Sequence, residues 1–132
     1  MRIIIDDTIL HGAFFEKDYY CEKIFIAAKE KRLEIYISTF SFANFIIGLP
    51  QQNTYSFRFL EELVNYPNFK IINIEPKELI RACKKYLEGK DLLYSINVEL
   101  LYKYSFNFYV TKIEKYNDEK VISPKSFVVS YL

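Results

Sequence analysis

Glycine is scarce in this sequence, with only Gly12, Gly48 and Gly89 among 132 residues. Loops that hold nucleotide phosphates need several glycines at fixed spacing, because their backbone N–H groups must approach the phosphate closely. Neither the GxGxxG pattern nor the GxxxxGK[ST] pattern occurs. The sequence therefore excludes nucleotide binding through either kind of loop.

Cysteine and histidine are also rare. Cys21 and Cys83 lack both the CxxC spacing of zinc sites and the further pairs of a disulfide framework. Such a chain suits a reducing compartment, so we predict a cytoplasmic protein. His11 is the only histidine and no nucleophile motif surrounds it, so we interpret it as a structural residue.

Neither charge sign dominates, and long apolar runs are missing. The formal net charge is +1, so no strong global field draws the chain to nucleic acid or to an anionic membrane. The apolar run before Asp6 is too short for a signal peptide, and no later stretch approaches a membrane span. A length of 132 residues predicts one domain over residues 1–132, and a hydrophobic fraction of 51% predicts that it folds. We expect a soluble protein with no membrane partner.

The sequence does contain a regular alternation of short apolar runs with helical patterns. Amphipathic segments lie between the runs, and Asp18, Asp91 and Ser123 are placed to begin helices. Strands separated by helices predict an α/β fold, with a mostly parallel sheet of four to five strands and helices on both faces. The runs typical of strands are 2–5, 33–37, 69–74, 108–110 and 121–122.

Polar side chains follow three of the predicted strands. Asp6 and Asp7 come after the first strand, Ser38 after the second and Thr111 after the fourth. Ligands of such folds bind beyond the carboxyl ends of the strands, so these residues are candidates for a binding site. The alternative is that they are ordinary turn and cap residues, which Asp, Ser and Thr favour. Two adjacent carboxylates after buried isoleucines favour either a cation or a raised pKa at Asp6.

An Asp-Asp pair after the first strand also occurs in receiver domains of two-component signalling. Those domains need a phospho-accepting aspartate at the end of the third strand. No aspartate lies between Asp18 and Asp91, so the receiver hypothesis fails.

Six segments, in a consistent order and spacing, cover nearly the whole chain. They are IIIDDTIL (3–10), 16–38, STFSFANFII (38–47), 90–97, FYVTK (108–112) and VISPKSF (121–127). Together they resemble the PIN domain family, a group of Mg²⁺- or Mn²⁺-dependent ribonucleases that includes the VapC-type toxins. The resemblance implies a PIN-like fold.

The resemblance also implies site residues. Asp6 matches the metal-binding aspartate of the opening strand, and Asn44 occupies the position of the usual helix glutamate. Asp91 lies one turn before the position of the aspartate that begins the long helix. These three residues are the implied catalytic set, with Mg²⁺ or Mn²⁺ held by Asp6. The residues implied in binding are Asp7, Thr8, Ser38, Thr111 and Lys112.

The chain departs from the family pattern at three positions. Tyr94 stands where the helix aspartate is expected, and Ile113 and Lys115 replace an asparagine and an acidic residue after the fourth strand. Nucleases of this kind hold one or two hard cations among several carboxylates. Of the usual acids only Asp6 is kept in place. The alternative is that Asp6 and Asn44, joined by Asp91 or Asp7, bind a single Mg²⁺, which commonly takes one or two carboxylates plus waters.

Two functional hypotheses follow. One is a PIN scaffold that has lost catalysis and binds RNA or a protein partner. The other is a metal-dependent endoribonuclease of the toxin–antitoxin type. The resemblance adds an antitoxin-like protein and a homodimer as expected partners. Lys112 is a candidate phosphate ligand, or else part of an ordinary solvated face.

Overall fold

The computed structural model describes residues 1–114 and 117–132, which contain five strands and seven helices. Lys115, one of the positions that departs from the PIN pattern, lies outside the described residues. The elements in chain order are β1 (Arg2–Ile5), α1 (Asp7–Phe14), α2 (Tyr19–Lys29), β2 (Glu34–Ser38), α3 (Thr39–Ile47), α4 (Thr54–Val64), β3 (Phe69–Ile72), α5 (Pro76–Leu87), α6 (Leu92–Lys103), β4 (Phe108–Val110), β5 (Val121–Ile122) and α7 (Pro124–Tyr131).

The five strands form one parallel sheet in the order β3-β2-β1-β4-β5. Strand β1 lies at its centre, with Ile4 opposite Tyr36 of β2 and Tyr109 of β4. Parallel neighbours need crossover connections, and the helices between the strands supply them. The predicted α/β fold with a parallel sheet is confirmed.

Apolar side chains of β1 point alternately to two cores, one on each face of the sheet. Ile3 and Ile5 join the larger core with residues of α1, α2, α3, α4 and α7. Ile4 joins the smaller core, to which α5 and α6 contribute Ala82, Ile96 and Leu100 among others. Helices therefore cover both faces, as the sequence predicts.

The predicted helix starts are confirmed, because the side chains of Asp18, Asp91 and Ser123 each accept a backbone N–H of the helix that follows. The prediction of a third strand over 69–74 was too long, since β3 ends at Ile72. The pairing of β3 with β2 ends at Ile72, which lies opposite Ser38. None of the described helices combines the length and apolarity needed to cross a bilayer.

Candidate functional site

Asp6 is buried between the end of β1 and the start of α1, with 1% of its surface exposed. Its Oδ1 accepts hydrogen bonds from the backbone N–H of Thr8, at 3.0 Å, and from the Thr8 hydroxyl. Its Oδ2 accepts the hydroxyls of Tyr109 at 2.6 Å and Thr111 at 2.5 Å. Four donors therefore share the two oxygens of a single carboxylate, which caps α1 and ties β1 to β4.

Each of the three hydroxyls that donate to Asp6 is itself held by another donor. The backbone N–H of Lys112 donates to Thr8 Oγ1, and the backbone N–H of Ile113 donates to Thr111 Oγ1, both at 3.1 Å. The Tyr109 hydroxyl accepts from the side chain of Asn97 at 3.2 Å. Because a hydroxyl has one proton, an N–H pointing at its oxygen leaves that proton to be donated elsewhere. The network therefore directs all three protons at Asp6.

Burial raises the pKa of Asp6 above its ordinary value of 3.8, because the charged form loses hydration. The hydrogen bonds from Thr111, Thr8 and Tyr109 oppose this effect, while the negative charge of Asp7 adds to it. Burial and the charge of Asp6 raise the pKa of Tyr109 well above its usual value. The phenol therefore stays protonated and remains a donor.

The network continues from Tyr109 into two helices. Asn97, wholly buried on α6, donates its amide N–H groups to Tyr109 and to the hydroxyl of Ser41 on α3. Neither Asn97 nor Ser41 was predicted as a site residue, and Tyr109 was predicted only as part of a strand. Strand alternation offered one signal, because Tyr109 and Thr111 are two residues apart and share a face with Ile4 and Asp6.

Asp7 and Asn44 form a second, more exposed contact. Strand β1 has ended at Ile5, and Asp7 is the first residue of α1. Its Oδ2 accepts the side-chain N–H of Asn44 at 3.0 Å, which joins α1 to α3. Asp6 and Asp7 therefore bind different partners although they are adjacent, and Asn44 contacts Asp7 rather than Asp6.

Three other predicted residues have local roles. Asp91 is exposed and caps α6 by accepting the backbone N–H of Tyr94 at 2.8 Å. Ser38 is buried and caps α3 by accepting the N–H of Ser41. The ammonium of Lys112 pairs with two acidic residues, Glu16 at 3.3 Å and Asp18 at 3.1 Å.

These residues fit a divalent cation poorly. Mg²⁺ and Mn²⁺ need carboxylate lone pairs directed at the ion, and both oxygens of Asp6 are already taken by protons of neighbouring groups. Within residues 1–114 and 117–132, no three His, Cys, Asp or Glu side chains are grouped closely enough to hold a metal ion. The arrangement suits a structural hydrogen-bond network better than a metal cage.

The raised pKa of Asp6 predicts how stability changes with pH. Between 3.8 and the higher folded-state pKa, the folded protein binds more protons at Asp6 than the unfolded chain does. The free energy of unfolding must therefore fall as pH rises through that interval. Asp6→Asn lacks this contribution, so the stability of the wild type minus that of the variant should be largest at and below pH 3.8 and should shrink as pH rises through the folded-state pKa of Asp6. Urea unfolding of both proteins across this range tests it, and a difference that grows with pH would contradict the assignment.

No protein-family model and no curated protein matches the chain. The fold is similar to that of a chain in a solved structure described as a toxin–antitoxin complex from Klebsiella pneumoniae. The two chains superpose with a TM-score of 0.69 over 92% of this chain and 97% of the other, at 17% sequence identity. At that identity the likeness establishes a shared fold and leaves function to be argued from the residues.

Proposed function

We propose that this chain is a PIN-like protein whose metal-dependent nuclease chemistry is impaired and which acts by binding a partner. One observation carries the proposal. Asp6, the acid that matches the family's metal ligand, accepts four hydrogen bonds from Thr8, Tyr109 and Thr111. A carboxylate committed in this way has little capacity left for a cation.

The other implied catalytic residues support the same conclusion. Asn44 donates to Asp7, and Asp91 caps α6, so neither is among the donors and acceptors of the Asp6 network. Metal-dependent phosphodiester cleavage needs an ion that generates hydroxide and neutralises charge on the transition state. Without several carboxylates directed at one point, that ion would be held weakly.

An antitoxin-like protein is the partner that the observations favour over RNA. A net charge of +1 gives little long-range attraction for a polyanion, and the ammonium of Lys112 is already paired with Glu16 and Asp18. The shared fold with a chain from a toxin–antitoxin complex agrees with a protein partner.

The surface also has an apolar hollow of about 280 Å³, with a lining that includes Phe15, Leu49, Tyr55 and Phe59. A homodimer, expected from the family, is proposed on the resemblance alone.

A metal titration tests the proposal. A cation bound specifically at about 100 times its Kd would raise the free energy of unfolding by about 2.7 kcal/mol. We expect Mg²⁺ and Mn²⁺ at millimolar concentration to change stability no more than Ca²⁺ does, and to produce no cleavage of a panel of single-stranded RNAs. Urea unfolding and gel electrophoresis of the RNAs are the measurements.

The control is Asp6→Asn, used after circular dichroism has established that the variant is folded. Metal-dependent cleavage that disappears in this variant would overturn the proposal in favour of an endoribonuclease of the toxin–antitoxin type. Absence of cleavage with RNA retained on a filter would keep the impaired scaffold and replace the protein partner with RNA.

A further inference from the structure

Helix α5 turns its charged side toward the protein. Glu78 and Ala82 are buried, at 6% and 0% exposure. Arg81 pairs with Glu99 of α6 at 3.1 Å, and Lys85 approaches the same carboxylate at 3.8 Å. Lys103 of α6 pairs with Glu78 at 3.1 Å. The contact between α5 and α6 therefore contains several ion pairs, which is unusual for the inner side of a helix.

The opposite side of α5 is apolar and faces solvent. Ile80 is 69% exposed, Leu87 is 83% exposed, and Cys83 lies between them at intermediate exposure. Together with Pro76 these residues have the 4-3-4 spacing of the a and d positions in a heptad. A surface helix normally buries such a stripe. Exposed apolar stripes of this kind are typical of protein interaction sites.

Lysines flank this stripe. Lys77 and Lys84 are exposed and occupy the e positions beside Ile80 and Leu87. Among the ion pairs of the described residues, neither lysine has an acidic partner, whereas Arg81 and Lys85 on the inner side both do. Both ammonium groups are therefore available to pair with acidic side chains of another molecule.

We propose that the outward face of α5, formed by Ile80, Cys83 and Leu87 with Lys77 and Lys84 beside them, docks an acidic amphipathic helix of a partner protein. Apolar side chains of that helix pack on the stripe, and its glutamates pair with the two lysines. The inference deepens the proposed function and rests on it in assigning the chain a binding role.

Charge distinguishes this occupant from the alternatives. A second copy of the chain would bring its own Lys77 and Lys84 to the same contact. The exposed acids at the two ends of α5 are Glu75, which already pairs with Lys103, and Glu88. RNA would neutralise the lysines but leave Ile80 and Leu87 without apolar contacts. An acidic helix satisfies both the stripe and the lysines.

Peptide binding to the full chain tests the proposal. The probe is a labelled peptide of about three heptads with leucine at a and d and glutamate at e and g, compared with the same peptide carrying lysine at e and g. We expect the glutamate peptide to bind at least about tenfold more tightly by fluorescence anisotropy. The double variant Lys77→Glu, Lys84→Glu should reverse that preference.

The apolar contribution is tested with Ile80→Ser combined with Leu87→Ser, which should abolish binding without loss of folding because both side chains are exposed. Ile47→Ser, at a residue of α3 that is 81% exposed, is the matched control and should bind normally. Equal affinity for both peptides, or no binding of either, would overturn the proposal. The proposal would also be overturned if the chain self-associated and Ile80→Ser with Leu87→Ser abolished that self-association. Displacement of the peptide by RNA would overturn it as well. The metal titration does not involve α5, so a failure here is distinguishable from a failure of the proposed function.

Discussion

Replacing Asp6 with alanine is expected to lower the free energy of unfolding by about 3 kcal/mol. The substitution leaves the hydroxyl protons of Tyr109 and Thr111 without an acceptor in a buried site, and each buried unpaired group costs about 1–3 kcal/mol. It also removes the cap of α1, which is worth about 1 kcal/mol. Relief from burying a carboxylate offsets part of this loss. Urea unfolding followed by circular dichroism measures the change.

Asp7→Ala is the matched control, because the two acids are adjacent and only Asp6 is buried. Among the described residues the Asp7 side chain has one hydrogen bond, from Asn44 on the surface, so its loss should cost no more than about 1 kcal/mol. The sign of the Asp6 result also bears on function. Carboxylates kept for a cation often destabilise the apoprotein, and removing them then stabilises it. A more stable Asp6→Ala would therefore contradict a structural network and favour a metal site.

The position of Asp6 could be predicted from the sequence, whereas its hydrogen bonds to Tyr109 and Thr111 of the neighbouring strand and loop could not. Three isoleucines followed by two acids predict a buried strand and a polar end, and both are present. The donors, however, lie far along the chain, with Tyr109 and Thr111 more than 100 residues away. Tyrosine in a strand is typical of any core, and its hydroxyl partner depends on how β1 and β4 pair. A sequence pattern contains no information on that pairing at the level of single atoms.

Asn97 and helix α5 illustrate a second limit. The sequence analysis did not single out Asn97, because the apolar pattern of its helix does not mark one asparagine as buried. Asn97 is fully buried, and its side-chain N–H groups donate to Tyr109 and Ser41. In α5 the residues Ile80, Cys83 and Leu87 have the spacing of a stripe that a surface helix normally buries, but they face outward. Glu99 and Lys103 of α6 offer charges that match the other side of α5. The orientation of α5 therefore depends on its ion pairs with α6. The apolar periodicity of α5 alone contains no information about those pairs.

Gly12→Ala is expected to destabilise the protein by about 2 kcal/mol, although alanine favours a helix by up to about 1 kcal/mol over glycine. A Cβ at position 12 would lie 2.5 Å from Cys21 Sγ and 3.1 Å from Lys112 Nζ. Burial, together with the charge of Asp18, raises the pKa of Cys21 to about 12, so the neutral thiol packs as a small apolar group. Either the Cys21 side chain or helix α2 must shift to admit the methyl group. Urea unfolding measures the loss.

Two controls isolate the contact between Gly12 and Cys21. Gly48→Ala should be nearly neutral, because Gly48 has φ −78° and a Cβ there would meet only ordinary contacts of 3.4 Å or more. Cys21→Ala removes the sulfur, so the double variant with Gly12→Ala should be more stable than additivity predicts, by about 1 kcal/mol. If the stability changes of Gly12→Ala and Cys21→Ala simply add in the double variant, the methyl group at position 12 does not press on the Cys21 sulfur. The contact also affects the candidate site, because Asp18 caps α2 and pairs with Lys112. The backbone N–H of Lys112 in turn donates to the Thr8 hydroxyl, which donates to Asp6. A shift of α2 in Gly12→Ala should therefore be transmitted to the Asp6 network.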